Sequence, residues 1–369
     1  MRLVKVETIP VVVPLVETFR GSKYQMSERA TLVTRLHTDE GIVGEIYNGD
    51  EVHTQHEIAR IMQDELFPLI EGRDPLLVDA AWDAMLPVTF DILRDRRLVI
   101  MAMAAIDSAL WDIVGKAAGM PLYQLWGGFQ PSLPVVAIGG YYHRSHEELA
   151  DEVRYYISLG IGGCKMKVGG ASPAEDAERY LAMREAAGPD FVLMADANQG
   201  YLPAQAIEFV RRIGPDANLR WFEEPVRWDN AALGMRDVRY VTGIPVAAGQ
   251  SEVGRADARD LMRDGAIGVC NFDASWSGGP SEWHRVAGLA AAYGVQMAHH
   301  EEPQIAAHLI ASVAHGTYVE CFHPDRDPIF WNMIANRPEI RDGRYLVPDG
   351  PGWGIELDWD YVDRHRVEA

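Results

Sequence analysis

Eight short apolar runs that resemble β-strands recur along the second and larger part of the chain, and stretches of helical periodicity separate them. The runs span residues 135–138, 163–168, 191–195, 221–222, 246–248, 269–272, 296–298 and 318–321. A strand followed by a helix is the repeating unit of parallel α/β folds, and eight such units close a ring. The pattern therefore predicts a parallel barrel rather than an open sheet.

Polar side chains stand at or just after the end of almost every run. They are Lys165 and Lys167, Asp196, Glu223, Gln250, Asp273, His300 and Glu320. The carboxyl ends of barrel strands face one common mouth, and the active sites of such barrels lie there. The sequence therefore predicts a single site that collects these side chains.

The chain is predicted to have three parts. Residues 1 to about 50 alternate apolar and polar positions in short runs broken by glycine, which indicates an antiparallel meander. From about residue 54 the period becomes helical, and Gly and Pro between residues 119 and 128 mark a boundary. We predict an α+β capping domain at residues 1–127, the barrel at 128–345, and an extended, Pro- and Gly-rich segment at 346–369 that returns to the cap.

Composition excludes several classes of protein. The 369 residues carry a formal net charge of -20 and no basic run, so a nucleic acid or an anionic membrane surface would be repelled. The apolar runs fall short of the roughly 20 residues that span a bilayer, and the first ten residues lack a signal-peptide core, so we expect a cytoplasmic protein. Cys164, Cys270 and Cys321 each lie in an apolar strand-like segment, which predicts reduced core thiols rather than a disulfide.

Carboxylates at neighbouring strand ends indicate a metal site. Asp196 and Glu223 would offer oxygen ligands, and either the amide of Gln250 or the carboxylate of Glu252 would offer a third. Oxygen-only ligand sets favour Mg2+ over Zn2+. Taken singly, each acidic residue could equally be a solvated loop residue.

Lys165 and Lys167 lie two positions apart on one strand, so their side chains point to the same face. Cys164, Met166 and Val168 would then face the helices and leave the lysines inside the barrel. Two ammonium groups repel each other, which predicts a lowered pKa and a base near neutral pH. The alternative is a pair of surface lysines.

His300, after the seventh run, is a candidate for a second base. Asp273 on the preceding strand could orient its ring and raise its basicity. A structural histidine is the alternative, and the spacing does not distinguish His300 from its neighbour His299. Glu320, at the eighth strand end, could share a proton with a substrate oxygen or serve as a salt-bridge partner.

These residues fall into six motifs that occur in a fixed order. The motifs are Lys-x-Lys at 165–167, Asp-x-Asn at 196–198, Glu-Glu-Pro at 223–225, an Asp strand ending in Gly-Gly at 273–279, a histidine segment at 297–309 and a glutamate at 320. The series resembles the mandelate racemase group of the enolase superfamily, and residues 105–128 resemble the helix at that group's domain junction. The resemblance spans nearly the whole chain and implies an α/β fold, a modified TIM barrel of (β/α)7β form with an N-terminal α+β capping domain.

The resemblance also implies roles for individual residues. Lys167 would be the base on one face of the substrate, and Lys165 would be the neighbour that lowers its pKa. His300 with Asp273 would serve the opposite face. Bound Mg2+ and Glu320 would hold the substrate carboxylate and stabilise the enediolate left when the α-proton departs. A homo-oligomer is implied as well.

The fifth strand departs from the group's pattern, because this chain has Gln250 and Glu252 where the group has Gly-Glu. If the strand continued, Glu252 would lie on the same side as Gln250, two residues earlier. We therefore expect Glu252, rather than the amide of Gln250, to complete the metal site. A neutral third ligand would weaken magnesium binding.

Two reactions share the same first step. Racemisation returns a proton to the α-carbon from the opposite base, whereas dehydration uses His300 as an acid on a departing β-hydroxyl. Polar candidates for the substrate pocket favour dehydration of a small sugar acid over reaction of an aromatic hydroxy acid. They are Tyr141, Tyr142, His143, Asn198, His299 and Glu301, together with Arg20, Tyr24 and Met26 in a loop that the resemblance implies closes over the substrate.

Two other classes of protein stay open. Gln250 could mark a catalytically silent scaffold that binds a metal or a metabolite. A barrel aldolase would form a Schiff base with one lysine, but the glycine-rich phosphate loop expected near the last two strands is missing, apart from a faint candidate at residues 278–279.

Overall fold

The chain begins with a three-stranded antiparallel sheet in the order β1 (Leu3–Arg20), β2 (Gln25–Thr38) and β3 (Val43–Asn48). The computed structural model describes residues 1–50 and 53–368. Val11 on β1 and Leu36 on β2 are fully buried, because alternate apolar positions face the helices that follow. The meander predicted for residues 1–50 is confirmed.

Helices cover one face of this sheet. They are α1 (Gln55–Arg60), which continues through a π-helical turn (Ile61–Leu66) into α2 (Phe67–Ile70), then α3 (Val78–Met85), a 3-10 turn (Leu86–Phe90), α4 (Arg96–Ala118) and α5 (Leu122–Leu125). The side chain of Asp95 accepts a hydrogen bond from the Arg97 N–H and starts α4, and Gly119 in the left-handed region ends it. By length and composition α4 could cross a membrane, contrary to the expectation that every apolar run falls short of a bilayer span, yet 78% of its most apolar window is buried inside the protein. α4 is therefore read as a core helix.

Eight parallel strands form the centre of the larger, second part of the chain. They are β4 (Ser132–Gly139), β5 (Gly163–Lys167), β6 (Val192–Asp196), β7 (Leu219–Glu223), β8 (Val246–Ala248), β9 (Val269–Asn271), β10 (Gln296–Ala298) and β11 (Val319–Phe322). Each strand pairs with the next from β4 to β10, and β11 pairs with β4. A bridge between Met297 of β10 and Gly316 links β10 to the segment that leads into β11. Every apolar run identified in the sequence contains part of one of these strands, and the predicted fold class is confirmed.

Helices alternate with the strands around the outside. They are α6 (His146–Ser158), α7 (Pro173–Ala187), α8 (Pro203–Ile213), α9 (Ala231–Thr242), α10 (Arg255–Arg263), α11 (Gly279–Tyr293), α12 (Pro303–Ala311) and α13 (Pro328–Asn332), with 3-10 turns at Pro215–Ala217 and Trp228–Asn230. Cys164, Cys270 and Cys321 are buried free thiols, as predicted.

The end of the chain returns to the first sheet. A short hairpin of β12 (Ile340–Arg341) and β13 (Arg344–Leu346) adds to β4, and α14 (Trp359–His365) follows. The Val367 N–H then donates to the carbonyl of Pro10 in β1 (3.0 Å). The domain boundaries at 127/128 and 345/346 stay predictions.

Asp107 joins the core helix α4 to the barrel. It is fully buried, and it accepts hydrogen bonds from the N–H and the hydroxyl of Ser281 at the start of α11 (both 2.8 Å). Gly279 approaches so closely that a Cβ there would lie 2.5 Å from the Asp107 carboxyl, which explains the glycine. Burial raises the pKa of Asp107 to about 7.

Asp107→Asn is expected to stabilise the protein increasingly as the pH rises. Below about pH 4 the carboxyl is protonated in both folded and unfolded chains, so its ionisation does not change the free energy of unfolding. Between about pH 4 and 7 the unfolded chain loses the proton first, and the free energy of unfolding of the wild type falls by about 4 kcal/mol. The variant lacks this loss, so its advantage in Tm should grow from pH 4 to pH 8. Asp83→Asn, at an exposed aspartate, is the control; a pH-independent advantage of Asp107→Asn would contradict the assignment.

Candidate active site

Two lysines and three carboxylates form a buried ion-pair network at the mouth of the barrel. The Lys165 ammonium lies 2.5 Å from both Glu223 and Glu320, and the Lys167 ammonium lies 2.7 Å from Asp196. All five side chains are at most 3% exposed. The strand register explains the arrangement, since Lys167 on β5 pairs with Asp196 on β6, which pairs with Glu223 on β7.

The pKa values of the lysines differ from the sequence expectation. Burial lowers the pKa of Lys165, but the charges of Glu223 and Glu320 outweigh burial and hold it above its usual value. Burial also lowers the pKa of Lys167, but the charge of Asp196 outweighs burial and raises this pKa well above its usual value. Repulsion between the lysines is present, but nearby carboxylates outweigh it. The lowered pKa predicted from that repulsion is therefore wrong.

His300 and Asp273 form the second acid–base pair. The ring Nδ1 of His300 lies 3.0 Å from an Asp273 oxygen, and the Nε2 lies 3.3 Å from Glu301. Asp273 is fixed by the N–H groups of Ser275 and Trp276, which donate to its other oxygen. Burial and the charges on the lysines hold the pKa of His300 well below its usual value. The predicted pairing is present, but the predicted rise in basicity is not.

His299 has a structural position. Its Nδ1 donates to the carbonyl of His300 (2.8 Å) and its Nε2 accepts from the N–H of Ala274 (3.0 Å). Both ring nitrogens are therefore occupied by backbone, and the predicted contact with substrate is not supported. The ring lies within 4.8 Å of ligand atoms of Asp273 and Glu302, but its engaged nitrogens leave no lone pair for a metal there.

Asp196, Glu223 and Gln250 stand at three neighbouring strand ends, since Asp196 pairs with Glu223, Glu223 pairs with Ala247 of β8, and Gln250 follows β8 by two residues. One oxygen of Glu223, the amide oxygen of Gln250 and the amide oxygen of Asn198 are buried and have no hydrogen-bond partner in the described part of the chain. Buried polar atoms of this kind normally have a partner. A hard divalent cation such as Mg2+, which binds oxygen ligands, would satisfy these oxygens.

Glu252 does not join this group. β8 ends at Ala248, and a turn follows instead of a continued strand, so Glu252 is not on the side expected from alternation. Burial, and then repulsion from Glu224 and Asp257, raise the pKa of Glu252 to about 8. Among the described residues, Glu252 forms no cluster of close ligand atoms with Asp196 and Glu223. The preference for Glu252 over Gln250 rested on a continuing strand, which the structure does not show, and on the weaker magnesium binding of a neutral ligand, which stays a prediction.

The other predicted pocket residues lie at differing depths. Tyr141 is buried, and the Tyr24 ring lies 5.8 Å from the Lys167 ammonium. Asn198 donates its N–H to Asp196 (2.9 Å). His143 is half-buried beside Glu17 (3.2 Å), and Arg20 is exposed at the end of β1, where the cap loop between β1 and β2 begins.

Several buried residues at the mouth were missed by sequence reasoning. Arg29 of β2 forms ion pairs with Asp50, Glu301 (3.1 Å) and Asp327 (3.3 Å), and Arg326 lies beside it. The contacts of Arg29 with Asp327 and with Glu301, which was itself a predicted pocket residue, join positions 298 and 272 apart, and no local pattern marks them. Glu301 and Glu302 also have positive φ values of 53° and 49°, a strained backbone of the kind found at functional sites.

A second missed network supports the lysine strand from behind. The guanidinium of Arg179 on α7 donates to the carbonyls of Lys167 (3.0 Å), Gly140 (2.6 Å) and Tyr141 (3.2 Å). Arg179 therefore ties together the ends of β4 and β5, where the strands separate.

Asp176, one turn earlier on α7, holds the neighbouring loops. It accepts hydrogen bonds from the hydroxyls of Tyr142 (2.7 Å) and Tyr201 (2.6 Å) and from the N–H of Gly169 (2.8 Å). The N–H of Tyr142 in turn donates to the carbonyl of Arg20 in the cap loop (3.0 Å). Tyr142 is therefore the point at which this network reaches the cap.

We expect Tyr142→Phe to loosen the cap loop. The ring would stay, but the hydroxyl's bonds to Asp176 and to the Gly170 N–H (2.7 Å) would be lost. Trypsin cleavage after Arg20 or Lys23 should become roughly tenfold faster, as expected for the loss of a buried hydrogen bond to a charged group. Tyr201→Phe is the matched control, because it also removes a hydroxyl from Asp176 and has no hydrogen bond to the cap loop. Equal cleavage rates in all three proteins would rule out the link.

Comparison with known proteins agrees with this geometry. Residues 4–127 match the mandelate racemase / muconate lactonizing enzyme N-terminal domain, and residues 148–361 match the enolase C-terminal domain-like family. The chain therefore belongs to the mandelate racemase/muconate lactonizing enzyme family of the enolase superfamily, as its motifs predicted.

Relatives of known activity and structure cover almost all of the chain. The arabinonate dehydratase of Saccharolobus solfataricus is 32% identical over 92% of this chain and 91% of its own length. The D-galactarolactone cycloisomerase of Agrobacterium fabrum is also 32% identical, over 95% and 94%. A mandelate racemase/muconate lactonizing enzyme from a marine actinobacterium, solved in complex with magnesium, is 54% identical with a TM-score of 0.94, covering 100% of this chain and 99% of that one. The chain is accordingly an enolase-superfamily enzyme, an acid-sugar dehydratase or a racemase.

Proposed function

We propose that the protein removes the α-proton of a hydroxylated carboxylic acid with the help of Mg2+, and that the reaction is dehydration of a sugar acid. The observation that carries the proposal is the presence, at one barrel mouth, of Lys167 and of the His300–Asp273 pair beside three buried carboxylates. An α-proton beside a carboxylate is very weakly acidic, so a positioned base alone would not remove it at a useful rate.

Asp196, Glu223 and Gln250 would hold the magnesium ion. When bound, Mg2+ would supply positive charge where negative charge develops on the substrate carboxylate. A cation held by Asp196 would offset the negative charge that raises the pKa of Lys167, and Lys167 would then accept the α-proton at its Nζ as the free amine. Lys165 and Glu320, which contact each other, would bind the carboxylate on the same side and keep water out of this buried pocket.

His300 would act on the opposite face. In dehydration a protonated His300 would give its Nε2 proton to the departing β-hydroxyl, so that the C–O bond breaks, water leaves and an enol of the 2-keto acid remains. Asp273 would hold the ring through Nδ1 and stabilise the protonated form. The Glu301 carboxylate beside the His300 Nε2 (3.3 Å) and the dehydratases among the relatives support a sugar acid as substrate.

One observation favours a second candidate function. The pKa of His300 is low, so the resting ring is neutral and ready to accept a proton rather than to give one. A substrate that presents its α-hydrogen to His300 would then be racemised or epimerised between His300 and Lys167.

The test is a screen of mono- and diacid sugars with Mg2+ in deuterated water, read by mass spectrometry and NMR. Loss of water from one acid would support dehydration and identify the substrate, and deuterium at the α-carbon without water loss would support racemisation. Absence of both reactions across a broad library would overturn the proposal in favour of a silent scaffold. A cytoplasmic location and a homo-oligomer stay predictions.

A further inference from the structure

Arg326 places a guanidinium at the mouth of the barrel, above the proposed site. Glu320 and Phe322 are two positions apart on β11, so their side chains share one face of the strand. The Arg326 guanidinium lies 4.4 Å from the centre of the Phe322 ring. Glu320, Phe322 and Arg326 thus form a column that rises from the ion-pair network toward the cap.

The donors of Arg326 are unequally used. Its Nε donates to the hydroxyl of Tyr141 (3.2 Å), and its Nη2 lies beside Asp50 (3.6 Å) and the sulfur of Met26. Its Nη1 is buried and has no hydrogen-bond partner in the described part of the chain, although Arg326 is only 1% exposed. A buried guanidinium nitrogen without a partner is costly, and a ligand oxygen would satisfy it.

The charges around Arg326 define what kind of oxygen fits. Arg326 and Arg29 share Asp50, and Arg29 also pairs with Glu301 and Asp327. The linked cluster thus contains two guanidinium groups and three carboxylates. The surroundings are therefore net negative, and a second substrate carboxylate would be repelled. A hydroxyl carries no charge, and it can accept from Nη1 and donate to a neighbouring carboxylate at the same time.

We infer that Arg326 is a specificity-determining residue that binds a hydroxyl at the far end of the substrate. The substrate class is then the aldonic acids, which carry one carboxylate, rather than the aldaric acids, which carry a carboxylate at each end. The inference rests on the proposed function, because the carboxylate next to the reacting carbon must lie at the lysine network for the far end to reach Arg326.

The experiment compares an aldonic acid with the aldaric acid of the same configuration, using wild type, Arg326→Met, Arg326→Lys and Arg337→Met with saturating Mg2+. Arg337 is the matched control, because its guanidinium lies 4.6 Å from the Trp331 ring at the exposed surface. The wild type should favour the aldonate, and Arg326→Met should lower kcat/KM for it roughly 10- to 100-fold. Arg326→Lys should be intermediate, since an ammonium keeps the charge but not the fork of donors. Arg337→Met should match the wild type.

Ligand-induced shifts in Tm, measured on the same proteins, separate this inference from the reaction. A larger shift with aldonate than with aldarate, lost in Arg326→Met, supports the assignment even if no acid is turned over, and in that case only the proposed function fails. A preference for the aldarate, or equal shifts in wild type and Arg326→Met, would overturn it. If Arg326→Met does not fold, the comparison of Arg326→Lys with wild type decides in the same way.

Discussion

Lys167→Met is expected to lower turnover of the true substrate roughly 10²–10⁴-fold, the range that a positioned general base contributes. The methionine side chain fills similar space but cannot accept the α-proton, and it leaves Asp196 without its ion-pair partner (2.7 Å). The loss should appear in kcat more than in KM, since the base acts on the reacting proton rather than on substrate binding. Deuterium uptake at the α-carbon should fall in parallel.

Lys5→Met is the control for loss of a lysine far from the site, since the Lys5 side chain is 59% exposed. Thermal unfolding of both variants would show whether Lys167→Met is folded. A folded Lys167→Met protein with turnover within a few-fold of wild type would mean that Lys167 is not the base, and His300 would then have to serve alone.

The barrel was predictable because its signals are local. Each strand has its own apolar run, and each carboxyl end has its own polar residue, so order along the chain fixes order around the ring. Lys165 and Lys167 were predicted to point into the barrel because the apolar Cys164 and Met166 alternate with them along the strand. Both apolar residues are fully buried. The same alternation does not continue after β8, because the chain turns there. The side of the strand end predicted for Glu252 therefore does not hold.

The electrostatics of the site were harder to predict, because they depend on distances between strands. The repulsion between Lys165 and Lys167 is visible in the sequence, whereas the greater attraction of Asp196, Glu223 and Glu320 is visible only in the structure. The same holds for His299, whose two backbone hydrogen bonds no sequence pattern shows.

The cap side of the pocket could not be predicted for a related reason. Arg29 lies on the cap sheet and Asp327 follows the last barrel strand, yet the two side chains are 3.3 Å apart. Their contact arises from packing of one domain on the other. The residues that we propose to determine specificity are therefore the ones that local patterns identify least well.

The largest effect on metal dependence is expected from Glu223→Gln. One Glu223 oxygen already accepts hydrogen bonds from Lys165 (2.5 Å) and Asn271 (3.0 Å), which leaves the other, unpartnered oxygen for a cation. The amide keeps the shape of the side chain but removes its charge, so the Mg2+ concentration for half-maximal activity should rise about 100-fold or more. Calorimetric titration with Mg2+ in the absence of substrate would check binding without relying on turnover.

Changes at the fifth strand end should identify the third ligand. Gln250→Ala removes a buried, unpartnered amide oxygen and should weaken Mg2+ binding roughly tenfold, whereas Gln250→Glu should strengthen it because it adds a charge to the ligand set. Glu252→Gln should leave binding nearly unchanged, because the charges that act on Glu252 are those of Glu224 and Asp257 rather than those of Asp196 and Glu223. If Glu252→Gln weakened binding and Gln250→Ala did not, Glu252 would be the ligand, and the turn after β8 would have to rearrange when the cation binds.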